Sequence, residues 1–431
     1  MRNWIVLFFV LPLTILGQES ITLERAVAIA LEQNYDIRIA RGNAEIADNE
    51  TTLGISGFLP TLNATAGVDH SENEVTTNSP FSFGDSDNRT LSGAVSLNWT
   101  LFDGFSMFIN NSRYHLLDEQ ARLQLQQSIE TQVSLVVNRY LNAARQQQLL
   151  EIAQKSLDIS RTRLQREGAK KELGGISTTE FLSTKVAFNS DTIAVLNLQT
   201  SRNQAVSDLK LVLGIPVDRD IAVVARIDVL PMAADLAGLK NMLQNANSSL
   251  ALAQAQLKSA GLDKDQRYAP FLPNLSLRAA IGKTYSDTWQ TSTGNLFETD
   301  TDNQSLGVDL SMNLFNGFRD YTALESASIR ERNAELTLVK TRRELEMQLE
   351  NQYRVYRDNL VNYELQAEAV KFARQNMTLF EERYRIGGAT FIEYRDAQLQ
   401  LLRAENALVE SAYQIRTAAI VIEQLTGQIV K

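Results

Sequence analysis

The sequence predicts a mainly α chain with membrane β: a duplicated unit of long coiled-coil helices, each copy contributing two transmembrane β-strands. Three observations carry that reading. Short motifs recur at one fixed offset, proline leaves two long tracts empty, and two pairs of segments alternate strictly between apolar and polar residues.

The offset organises the rest. "FLP" stands at 58–60 and again at 271–273, and "LFDGF" at 101–105 returns as "LFNGF" at 314–318. "GGISTTEF" at 174–181 returns as "GGATFIEY" at 387–394. Each pair lies 213 residues apart (271 − 58), as do Gly214 and Gly427, Asn34 and Asn247, and Ala40 and Ala253. One spacing held along the whole chain is a tandem duplication of about 200 residues. The chain divides into a leader at 1–17, a first copy at 18–213, a linker at 214–238 and a second copy at 239–428. In the leader, Arg2 precedes an apolar run from Trp4 to Leu16 and then Gly17. That is the pattern of a secretory signal peptide, and it is too short to span a bilayer as a helix.

Each copy reads as helix, strand, loop, strand, long helix, Gly-Gly break, helix. The seven prolines leave 81–215 and everything after 273 free. Those tracts are rich in Leu, Ala, Glu, Gln and Arg, so they read as helices at about 104–170 and 178–213, then about 317–385 and 391–426. Ile129, Val136, Ala143, Leu150, Leu157 and Leu164 repeat every seven residues, as do Leu349, Tyr356, Tyr363, Val370, Met377 and Tyr384. A seven-residue period implies left-handed supercoiled packing. A continuous helix over 105–167 would be on the order of 90 Å long, more than one globular core accommodates.

The strands fall at about 60–70 and 90–102 in the first copy, and about 273–285 and 303–315 in the second. Leu91, Val95, Leu97, Trp99 and Leu101 share one face; Ser92, Ser96, Asn98 and Thr100 share the other. Leu306, Val308, Leu310, Met312 and Leu314 oppose Gly307, Asp309, Ser311 and Asn313 in the same way. The partner strands, from Leu62 and from Leu275, alternate likewise. Strict alternation over about ten residues suits a transmembrane strand with lipid outside and water inside. The polar stretches 71–89 and 286–303 read as solvent loops. Four strands do not close a membrane barrel, and hydrocarbon does not tolerate open edges. Several protomers must therefore share one barrel. Two would give eight strands and three would give twelve; counting leaves both open.

Composition excludes other classes. Without Cys there is no disulfide framework or thiolate metal site, and His70 and His115 do not suggest a metal cluster. A net charge of −9 argues against a nucleic-acid partner. No Ser/His/Asp set or Gly-rich phosphate loop stands out, so neither enzyme nor cofactor is expected. The alternative is a periplasmic or surface coiled-coil structural protein with soluble sheets.

Both Gly-Gly breaks, Gly174-Gly175 and Gly387-Gly388, are followed by Ser/Thr-x-x-Glu, from Ser177 to Glu180 and from Thr390 to Glu393. That spacing is a capping box, so each break reads as a tight turn into a new antiparallel helix. Glu180 and Glu393 are first of all helix caps. Asp396 lies beyond the first turn, and its twin is Ser183.

The signal peptide, the duplicated hairpins between "FLP" and "LFDGF"/"LFNGF", and "RYRIGGATFIEYRDAQ" together resemble the TolC family of outer-membrane efflux proteins, over about residues 20–428. The resemblance implies a homotrimer whose protomers share a twelve-stranded barrel in outer-membrane lipid, continued by an α-helical barrel across the periplasm. It further implies a periplasmic adaptor and an inner-membrane pump as partners, with 214–238 in the equatorial region. By the same resemblance Glu393 and Asp396 form an acidic ring at the periplasmic mouth. Tyr384, Thr179 and Glu180 match the family's gate contacts, and the glycine turns meet the adaptor. Ala389 occupies the position of a gate arginine, leaving Arg385 or Arg395 as substitutes.

Overall fold

A computed structural model describes residues 19–76, 84–229, 231–232, 234–290 and 293–430. The leader at 1–17 lies outside them. In chain order the elements are β1 (Glu19–Ile21), α1 (Leu23–Gln33), α2 (Tyr35–Asn49), β2 (Thr61–Asn73), β3 (Ser86–Asp103), α3 (Ser106–Glu172) and α4 (Thr178–Leu213). Then follow β4 (Ile221–Val223), α5 (Leu236–Ala246), α6 (Ser248–Gln266), β5 (Asn274–Gln290), β6 (Asn295–Ser311), α7 (Arg319–Arg385) and α8 (Phe391–Leu425). Compact packing cuts across the repeats. One unit takes residues 1–41, 125–249 and 342–431; the other takes 42–124 and 250–341.

The first unit holds two cores that are copies of each other. Ala26, Ala30, Val136, Ala143, Ala205, Val206 and Leu209 pack together in one. Their partners at +213, Leu239, Leu243, Leu349, Tyr356, Ala418, Ala419 and Ile422, pack together in the other. Each core joins a short helix, the long helix and the returning helix of one copy. Where the first copy has Ala26, Ala30 and Ala143, the second has Leu, Leu and Tyr, so the duplicated cores were filled differently. The linker is partly structured, because β4 pairs in parallel with β1, Ile21 opposite Val223.

The matched Asn and Gly residues form one joint, made twice. Asn34 sits between α1 and α2 and its Oδ1 accepts from the N–H groups of Asp36 and Ile37 at 2.9 and 3.1 Å. Its Nδ2 donates to the Val212 carbonyl at the end of α4, at 2.8 Å. Asn247 donates in the same way to the Leu425 carbonyl at 3.0 Å. A single amide thus caps a new helix and ties off the carbonyls of another. Gly214 and Gly427 follow α4 and α8 with φ of 71° and 66° and lie directly against the residue before each Asn. A side chain has no room there.

The second unit carries an antiparallel sheet ordered β2-β3-β5-β6. Its register stacks the alternating residues into rows across all four strands. Leu62 faces Leu97, which faces Ala279, which faces Leu306; Ala64, Val95, Ile281 and Gln304 form the next row. Leu62, Val68, Leu306, Val308 and Leu310 on this face are all exposed. β2 and β6 are its edges, with no further partner strand among the described residues.

Two expectations need correction. The stretches 71–89 and 286–303, expected as loops, are partly strand: β2 runs to Asn73, β3 starts at Ser86, and β5 and β6 pair from Asn274 opposite Ser311 to Gln290 opposite Asn295. Past Ile281, charged residues such as Lys283, Asp287, Asp300 and Asp302 enter the formerly apolar face, which erases the alternation, but the backbone ladder continues through Thr- and aromatic-rich sequence of good β propensity. Met312 and Leu314 lie beyond β6, because its partner begins at Asn274, just after Pro273, which has no N–H to give. Among the described residues no helix is long and apolar enough to cross a membrane.

Candidate functional site

The two Gly-Gly turns in the first unit are the same structure. Gly174 and Gly387 take φ of 73° and 80°. The following glycines donate to the carbonyls of Lys170 and Arg383 at 2.7 and 2.8 Å, closing a Schellman turn. Ser177 then accepts from the Glu180 N–H at 3.1 Å. At the second turn the box is complete: Glu393 Oε2 accepts from the Thr390 N–H at 2.7 Å and from its hydroxyl at 2.8 Å. Those bonds hold the Glu393 carboxyl below the usual range, the backbone bond most. Glu393 is therefore committed to its cap. Asp396 is exposed one turn on and accepts from Gln400 Nε2 at 2.7 Å.

Tyr384 is buried and stacks on Tyr394, ring centroids 5.2 Å apart and nearly parallel. Its hydroxyl stands near Glu167 but makes no well-formed hydrogen bond among the described residues. Burial, then the charge of Glu167, then that of Glu180, pushes its pKa up to about 12. Glu167, on α3 and fully buried, thus acts on this tyrosine more strongly than the expected Glu180. Thr179 is exposed at the start of α4.

Arg395 makes a two-pronged ion pair with Asp191 on α4, at 2.7 and 2.8 Å, with both side chains largely buried. Arg385 is exposed. The pair belongs to a buried network. Ser160 donates to Asp191, and Gln398 Oε1 accepts from Arg163 at 2.5 Å and from Arg395 at 3.1 Å. Gln398 Nε2 donates to the Ser156 carbonyl and hydroxyl at 3.1 and 3.0 Å. Arg163 lies over the Tyr394 ring at 4.4 Å, and burial lowers its pKa. Helices α3 and α4 of the first copy are thereby locked to α8 of the second. Sequence reasoning named Arg395 as a substitute but missed Ser156, Ser160, Arg163, Glu167, Asp191 and Gln398. The signal was present for four of them: Ser156, Ser160, Arg163 and Glu167 continue the buried stripe of α3 at spacings of four, three and four.

In the second unit the hairpin brings together groups distant in sequence. His70 Nδ1 lies 3.0 Å from Asp87 Oδ1, and His70 Nε2 lies 3.8 Å from Glu72 Oε1. The three are partly exposed, as a surface ion cluster would be. On the sheet's polar face Arg278 pairs with Asp309 through two contacts, at 2.6 and 2.7 Å.

The family of outer membrane efflux proteins matches residues 26–215 and again 239–428, two spans separated by the same 213-residue offset. The chain belongs to this family. It is a channel protein of the outer membrane, an exit duct and not an enzyme. The alkaline protease secretion protein AprF of Pseudomonas aeruginosa is 26% identical over 90% of this chain and 81% of its own. The probable efflux pump outer membrane protein TtgC of Pseudomonas putida is 21% identical over 94% and 82%. Among solved structures, the Campylobacter jejuni CmeC outer membrane channel superposes with a TM-score of 0.80 at 13% identity, over 94% of this chain and 85% of its own. The open-state MtrE channel of Neisseria gonorrhoeae gives 0.73 at 16%, over 94% and 89%. The duplicated helices and the four-stranded sheet of this outer membrane efflux protein are thus a shared fold.

Proposed function

We propose that three copies of this chain assemble into one duct that takes cargo from an inner-membrane pump, through a periplasmic adaptor, to the cell exterior. The observation that carries the proposal is the sheet. It has an exposed apolar face and two edge strands, β2 and β6, unpaired among the described residues, which another copy's edges would satisfy in lipid. Twelve strands lie within the range of closed membrane barrels. The Gly-Gly turns at 173–177 and 386–390 are the surfaces for the adaptor. Relatives named for protease secretion and for efflux favour a protein or small-molecule cargo handed over by the pump. The assembly is checked by electrophoresis of outer-membrane extracts in unheated SDS. A band at three times the protomer mass, collapsing on boiling, is expected; monomer alone in detergent overturns the proposal.

Asp396 is the acid we assign to the periplasmic constriction, since Glu393 is held by its cap. In planar bilayers Asp396→Ala is expected to weaken divalent-cation block by roughly 3–5-fold, the scale of losing exposed charges worth under ~1 kcal/mol each. Unchanged block would remove Asp396 from the constriction.

A further inference from the structure

We propose that a small cavity in the first unit, walled by α3, α6, α7 and α8, binds a monovalent metal cation on the carboxylate of Glu130. The cavity measures about 160 Å³ and its polar lining includes Gln127, Thr131, Ser248, Gln348 and Gln424 beside Glu130. Glu130 is only 4% exposed. Its Oε1 accepts from Gln126 Nε2 at 2.8 Å, and its Oε2 from the Ser248 hydroxyl at 2.5 Å. Both donors are neutral, and no basic residue lines the cavity. A carboxylate held away from water with neutral partners alone is costly unless a positive charge joins it.

The donor set selects the ion. Around the single carboxylate are hydroxyl and amide oxygens, with no imidazole, thiol or second acid. Hard oxygen donors suit alkali and alkaline-earth ions and not transition metals. One negative charge matches one positive charge, which favours Na⁺ or K⁺ over Ca²⁺. The volume accommodates the ion with a few waters, each occupying about 30 Å³.

The duplication supplies an independent argument. The positions matching Glu130, Ser248 and Ser249 in the other copy are Arg343, Tyr35 and Asp36. The neighbouring joint is the same in both copies, with Asn34 and Asn247 in equivalent roles. The scaffold therefore forms without a buried acid at this place, and the charge in one copy needs a reason of its own.

The test is thermal unfolding of the detergent-purified assembly in NaCl, KCl, MgCl₂ or N-methylglucamine chloride at matched ionic strength. A saturable rise of about 2–4 °C with Na⁺ or K⁺ over N-methylglucamine is expected, and its absence in Glu130→Gln. No cation-specific rise in the native protein, a response to Mg²⁺ alone, or an equal rise in Glu130→Gln overturns the assignment. If Glu130→Gln fails to assemble, Thr131→Val takes its place. Removing one neutral oxygen while keeping shape is expected to raise the half-saturating concentration several-fold, and an unchanged value again overturns the site.

Discussion

Replacing Arg395 with alanine is expected to destabilise the turn-bearing end of the helices by about 3 kcal/mol, the cost of breaking a buried, hydrogen-bonded ion pair from one side. Asp191 would be left largely buried with Ser160 as its remaining partner. Because the pair ties α4 to α8, the loss falls on the contact between the two copies' helices and not on either helix alone. Under the gate that the family resemblance implies, with the pair broken on opening, this corresponds to a roughly 100-fold shift of a closed–open equilibrium toward open. Two measurements check it. A double-mutant cycle of Arg395→Ala with Asp191→Ala should show coupling of about 2–3 kcal/mol in thermal or denaturant unfolding. Single-channel recordings should show a higher conducting fraction in Arg395→Ala. Additive effects in the cycle would show that the pair does not hold the helices together. Coupling without a change in conductance would leave it a structural clamp and take it out of the gate.

Gly427→Ala is the second large effect. The new Cβ would stand 2.5 Å from the Ala246 carbonyl oxygen and 3.1 Å from its carbon, at a φ of 66°. Backbone is in the way, so no side chain can swing aside, and the left-handed conformation adds about 1–2 kcal/mol of its own. The expected cost is about 3–4 kcal/mol, read as a lower unfolding temperature and poor assembly. Gly214→Ala should behave alike, since its Cβ would meet the Gln33 oxygen at 2.8 Å. Gly388→Ala is the control. Its backbone has no positive φ and its nearest neighbour would be at 3.5 Å, so a change within about 0.5 kcal/mol is expected. Equal losses at 388 and 427 would refute the packing argument.

These two effects differ in how far they could be read in advance. Gly214, Gly427, Asn34 and Asn247 were visible as matched residues at one offset, although the joint they build was not. A linear comparison detects identity between copies, whereas the reason for it is a carbonyl and an amide from opposite ends of each copy. Glu393 is legible as a cap because a capping box spans four residues and needs nothing distant. Asp191 had no such local signature. It is a lone acid on a helix until α8 brings Arg395 beside it.

The sheet divides in the same way. Alternation named the residues that share the apolar face, since a strand's two faces follow from a period of two. It could not say where strands end, which depends on a partner. The ladder runs on through 286–290 and 295–303 because β5 and β6 continue to pair there, and it stops at Ser311 where Pro273 leaves nothing to pair with. By itself, the sequence determined the duplication, the helices with their glycine turns and caps, and the faces of the strands. These rest on periodicity and local backbone chemistry. Tertiary structure alone decided which polar residues of those helices are buried together: Arg163, Asp191, Arg395 and Gln398 in one place, Glu130 in another. A buried charge is set by what surrounds it, and the deciding partners, Arg395 for Asp191 and Ser248 for Glu130, come from segments more than a hundred residues away.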